Sequence, residues 1–97
     1  MTYRLVIDPK AIAQAAEIHR YYRGIGQVLA DRFERELDAC YAYIEQNPAG
    51  YQVRTRDYRH AQVKGFRYRV VYAIRGELVV VYQVRHTSRK PSKEFGP

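Results

Sequence analysis

The sequence predicts a single α+β domain in which a helical hairpin packs on a mainly antiparallel sheet. Three observations predict it: apolar alternation at the N-terminus, two consecutive amphipathic helical stretches, and strand-like runs punctuated by glycine. Ninety-seven residues suit one domain near the small end of what folds alone. The expected order over residues 1–97 is β-α-α-β-β-β, with residues 87–97 as a basic C-terminal tail.

Residues 2–7 alternate Tyr3, Leu5 and Ile7 with Thr2, Arg4 and Val6, the pattern of a half-buried strand. Asp8-Pro9 then starts a helix, since Asp caps free amides and Pro is tolerated in a first turn. Ile12, Ala15, Ala16, His19 and Tyr22 recur at helical spacing through Arg23, and Gly24-Ile25-Gly26 is expected to break the helix. A second helix runs over 27–46, with Leu29, Phe33, Leu37, Cys40, Tyr41 and Ile44 as its apolar stripe. Its other face carries Asp31, Arg32, Glu34, Arg35, Glu36 and Asp38, and Asn47-Pro48-Ala49-Gly50 stops it. Residues 52–57 read as a loop, 58–64 as a modest strand and 66–74 as a strong one. In the strong strand Phe66, Tyr68, Val70, Tyr72 and Ile74 point one way, so Tyr68 and Tyr72 are expected in the core. Arg75-Gly76 is expected as a tight turn, and 77–86 is apolar on both faces, as an interior strand should be.

Charge is unevenly distributed. Residues 1–50 carry six Lys/Arg against seven Asp/Glu, whereas residues 51–97 carry eleven against three. The overall charge of +7 suggests a polyanion or an acidic partner on the C-terminal half. Arg67, Arg85, Arg89 and Lys90 are the candidate partner- or nucleic-acid-binding residues; a solvated basic surface is the plain alternative. Cys40 is the only cysteine, which excludes an intrachain disulfide. His19, His60 and His86 lack metal-ligand spacing, so neither metal nor cofactor is expected, and His19 reads as a packing residue. With no signal-like N-terminus and no run able to span a membrane, a cytoplasmic protein without membrane association is the expectation.

Phe66-Arg67-Tyr68-Arg69-Val70-Val71-Tyr72 resembles the "Y-R-x-x-Y" strand of the RelE/ParE superfamily of toxins. The stretch from Val79 to Arg89, a hydrophobic run ending in His86-Thr87-Ser88-Arg89, is similar to its final "H-x-x-R" strand. Phe33, Leu37 and Asn47-Pro48 fit the second-helix pattern, and the likeness spans almost the whole chain. The resemblance implies the toxin of a bacterial type II toxin–antitoxin module, active in growth arrest and plasmid stabilisation. A cognate antitoxin would silence it through a segment that folds into an apolar groove with a basic rim.

The superfamily divides by chemistry. RelE-like members cut messenger RNA on the ribosome without metal, while ParE-like members inhibit DNA gyrase and are not nucleases. By resemblance, Arg69 matches the phosphate-stabilising Arg of the nucleases and His86 their general acid, with Arg67 and Tyr82 in support. A two-residue turn at Arg75-Gly76 would oppose Arg69 to Tyr82 and Arg67 to Val84, putting Arg67, Arg69, Tyr82 and His86 on one face. Against the nuclease, residues 58–64 offer only His60 and Lys64 near the position of a general base. The long hairpin favours the ParE side. The alternatives are the ribosome-dependent endoribonuclease and a non-toxic basic binding module.

Overall fold

The computed structural model describes residues 2–88. Its elements are β1 (Arg4–Ile7), α1 (Pro9–Ile25), α2 (Gln27–Gln46), a 3-10 turn (Pro48–Gly50), β2 (Val53–Thr55), β3 (Tyr58–Gln62), β4 (Tyr68–Arg75) and β5 (Leu78–His86). Together they form the expected α+β hairpin on a sheet, with one more strand than the sequence suggested. The five strands lie in the order β1-β5-β4-β3-β2, parallel only between β1 and β5.

Asp8 caps α1 by accepting the Lys10 N–H at 2.9 Å, and Pro9 occupies the first turn. The helix runs through Gly24 and Ile25, and the break falls on Gly26 alone, which is extended and serves both helices. Gly26 donates its N–H to the Tyr22 carbonyl and accepts from the Ala30 N–H, so one residue closes the first helix and opens the second. The α2 stripe is as expected: Phe33, Leu37, Cys40 and Ile44 are buried, joined by Ala30.

The α1 stripe differs from expectation. Ala11 and Ile18 are buried, with Ala15 and Tyr22 packed beside them, while Ile12 is 55% exposed. Two adjacent apolar stripes run along this helix, and only one faces the sheet. Edge-on aromatic pairs knit the core where the elements meet, with Tyr22 and Phe33 each 5.2 Å from Phe66. Such pairs add roughly 0.5–1.5 kcal/mol each beyond the area they bury. Tyr72 is fully buried and donates its hydroxyl to the Pro48 carbonyl at 2.6 Å, tying β4 to the end of α2.

The 52–57 segment contains β2, paired with β3 through an irregular register. Between β4 and β5 the turn is Gly76-Glu77, closed by the Arg75–Leu78 pair, which corrects the expected Arg75-Gly76 turn. Gly76 has φ 63°, and glycine first in a two-residue hairpin is the arrangement that matches strand twist. A second correction follows along the ladder. Val71 pairs with Gln83 but Tyr72 pairs with Val81, leaving Tyr82 as an extra residue in β5. This bulge reverses the alternation beyond it.

At the sheet's outer edge, Arg4 and Asp8 donate their N–H groups to Glu77 and Val81. Leu5, between them, turns its N–H outward, where the Glu45 carboxylate of α2 accepts it at 2.8 Å. No helix among the described residues is long and apolar enough to cross a membrane.

Candidate functional site

The bulge decides which side chains meet. Below it Val79 and Val81 face the helices; above it Val84 does, and His86 pairs with Tyr68 on that side. Arg69 pairs with Arg85 on the opposite, open face, which also carries the cluster of Tyr58, Val71, Ala73 and Tyr82. The sequence-based register is therefore corrected: Arg69 opposes Arg85 rather than Tyr82. Arg69 and Tyr82 share a face, and His86 lies on the other. Arg67 precedes β4 and lines a cleft beside His86.

Arg69 is half-buried and donates from Nη2 to the Thr87 carbonyl at 3.2 Å. Burial, then the Arg54 charge, lowers its pKa, although a guanidinium stays protonated. His86 is held from two sides. Its ring stands perpendicular to Tyr68 at 5.1 Å, and Nδ1 accepts the Ser88 N–H at 3.1 Å, with Ser88 Oγ at 2.8 Å. A backbone N–H can only donate, so the neutral imidazole carries its proton on Nε2.

Elsewhere on the open face, the Arg75 guanidinium lies over the rings of Tyr58 and Tyr82, at 5.7 and 5.6 Å from their centroids. It donates to the Tyr82 hydroxyl at 3.1 Å and pairs with Asp57, whose carboxyl its hydrogen bond holds below the usual range. Arg85, a candidate contact residue, is only 6% exposed, in company with His60 and Gln83. Arg89 and Lys90, the other two candidates, lie outside the described residues.

The resemblance implied an apolar groove with a basic rim; the structure has a groove with mixed rims, and an aromatic cleft that the sequence did not suggest. The first is a groove of about 460 Å³ between α1, α2 and the end of β1. Ile7, Ala15, Phe33, Leu37 and Tyr41 contribute to its apolar lining. Arg20 and Arg23 stand on one rim, Glu34 and Asp38 on the other. The signal was present in the sequence as the surplus apolar stripe Ile12, Ala16 and His19 on α1. The second is an aromatic cleft of about 420 Å³ at the far end of the hairpin, lined by Tyr21, Tyr22, Phe66, Arg67, Tyr68 and His86 among others.

His19 borders the groove with Nε2 3.7 Å from Glu34 Oε2. With Asp31 these two form a group whose donor atoms lie within 4.8 Å of one another, a set that could reach a metal. Both carboxylates are exposed, and Asp31 already accepts the Gln27 amide at 2.8 Å. Cys40 is no candidate nucleophile, because burial pushes its thiol up to about 11.

A helical hairpin packed on a mostly antiparallel sheet, with an apolar groove along the hairpin, is the class of α+β domain that the structure defines. Comparison with known proteins makes the assignment specific. The family model described as "ParE toxin of type II toxin-antitoxin system, parDE" matches residues 5–91, and the chain belongs to that family. A solved structure described as "Chromosomal ParDE TA system from P. aeruginosa" has the same fold, with TM-score 0.80 at 14% identity over 90% of this chain and 98% of that one. Among curated proteins none matches in sequence.

Proposed function

We propose that this ParE-family toxin arrests growth by binding DNA gyrase rather than by cutting RNA, and that a cognate antitoxin silences it by folding into the α1–α2 groove. The single observation carrying the first half is the division of Arg69 and His86 between opposite faces. Metal-independent RNA cleavage needs a cation at the phosphorane, an acid at the leaving oxygen and a base for the 2′-hydroxyl around one phosphate; Arg67 shares the His86 cleft, but no carboxylate or lysine is among its lining residues. Arg69 also spends a donor on the Thr87 carbonyl.

The groove supports the second half. Its opposed rims, Arg20 and Arg23 against Glu34 and Asp38, suit an amphipathic helix with acidic residues on one flank and basic on the other. Ile12, 55% exposed, offers that helix an apolar contact at no cost to the core.

Two assays run in parallel test the target: gyrase supercoiling, and cleavage of translated messenger RNA. The expected outcome is inhibition of the first and no cut in the second. If RNA is cut, and Arg69→Ala or His86→Ala lowers cutting by about 10²-fold or more, the nuclease reading replaces this one. For the antitoxin, Ile12→Asp is expected to abolish co-purification while leaving the toxin's unfolding midpoint unchanged. Retained co-purification would remove the groove as the docking site.

A further inference from the structure

The aromatic cleft at the end of the hairpin has no part in the reading above. At about 420 Å³ it falls in the range of small-ligand pockets, roughly 300–1,000 Å³. Tyr21, 63% exposed, stands at its mouth with its ring 5.3 Å from that of Tyr22. Phe66, Tyr68 and Tyr22 wall the interior edge to face, and Tyr21 is the most exposed of the aromatic rings.

Beside tyrosine hydroxyls, which can donate or accept, the cleft's nitrogen groups are those of Arg67 and His86. Arg67 is exposed, and the ion pairs among the described residues, His19–Glu34 and Arg75–Asp57, leave it uncompensated. Arg32 lies over the Phe66 ring at 5.3 Å, adding a second guanidinium nearby. His86 belongs to the lining with its Nδ1 occupied by Ser88, so Nε2 is the donor. Glu17 lines a smaller neighbouring recess that shares Tyr21, Tyr68 and His86 with this one, but it is not among the residues lining the cleft itself. A stacking surface beside unpaired guanidinium and imidazole donors matches a flat heterocycle joined to a phosphate.

We propose that this cleft binds a nucleoside monophosphate unit, free or within a single strand, with its base on Tyr21 and its phosphate at Arg67 and His86 Nε2. The site binds and positions; no bond is made or broken. It is independent of the gyrase reading, because it is measured on the toxin alone.

The test titrates the full chain with AMP, adenosine and inorganic phosphate, following the resonances of Tyr21, Arg67 and His86 by NMR. AMP is expected to saturate, with adenosine and phosphate each about tenfold weaker or more, since each offers half the contacts. Arg67→Gln should reduce AMP to the affinity of adenosine while leaving adenosine unchanged. Tyr21→Ala should weaken AMP and adenosine alike, by about tenfold. Both side chains are exposed, so an unchanged unfolding midpoint is the control. A short oligoadenylate that binds at least about tenfold tighter than AMP, with the same variant pattern, assigns the site to a strand; equal affinity assigns it to the free nucleotide. No saturable AMP binding below ~10 mM, phosphate binding as tightly as AMP, or affinity indifferent to both substitutions would overturn the proposal.

Discussion

The two faces of the β4–β5 pair are built from the same residues in alternation, yet they are closed by different physics. On the helix side, Val70, Tyr72, Val79 and Val81 are fully buried, and the one polar atom among them, the Tyr72 hydroxyl, is satisfied by a carbonyl. On the open side, Arg75 bridges two tyrosine rings and a carboxylate. Burial of apolar area provides stability that salt does not screen and that involves no titrating group. A cation between rings and a carboxylate contributes less and depends on salt and pH. The helix face is closed by apolar burial, while the other covers its buried Val71 and Ala73 with tyrosine rings and a partly exposed cation.

That contrast can be broken most sharply at Tyr72. Tyr72→Ala should cost about 3–5 kcal/mol in urea unfolding, because neighbouring β-branched side chains cannot refill the space. Loss of under 1 kcal/mol would mean that the core tolerates a cavity there. Tyr72→Phe keeps the ring and leaves the Pro48 carbonyl unpaired, at about 1–3 kcal/mol. On the open face Arg75→Ala should cost only about 1 kcal/mol, the sum of a surface cation–π contact and a screened ion pair. The smallest effect belongs to Asp57→Asn and depends on pH. Arg75 depresses the Asp57 carboxyl, so its contribution is present above the unfolded carboxylate value and lost as pH falls through the folded one. Thermal unfolding of wild type and Asp57→Asn should therefore converge in acid and separate toward neutrality. A gap that persists in acid would assign the effect to something other than this pair.

Most of the fold was legible because its signals are local. Asp8-Pro9, the 27–46 stripe and the alternation from Phe66 each declare themselves within a few residues. What escaped depended on partners distant in sequence. A single extra residue at Tyr82 moves His86 across the sheet, and nothing in Val79-Val80-Val81-Tyr82-Gln83 marks where the bulge falls, since every position there tolerates burial. Likewise α1 carries two apolar stripes, and choosing the docked one requires knowing where β5 lies. The candidate site inherited both errors. Arg69, Arg67 and His86 were identified as notable residues, but not their separation, and Tyr21 was overlooked because one exposed tyrosine carries no pattern.

The contact between Glu45 and the Leu5 amide carries a consequence for the protein at high concentration. A strand bordering solvent is a template onto which another chain can hydrogen-bond, and copy upon copy can follow. Glu45 occupies that position with an acceptor that ends the ladder instead of extending it. One carboxylate on a neighbouring helix thus occupies a pairing position on the β1 edge of the sheet.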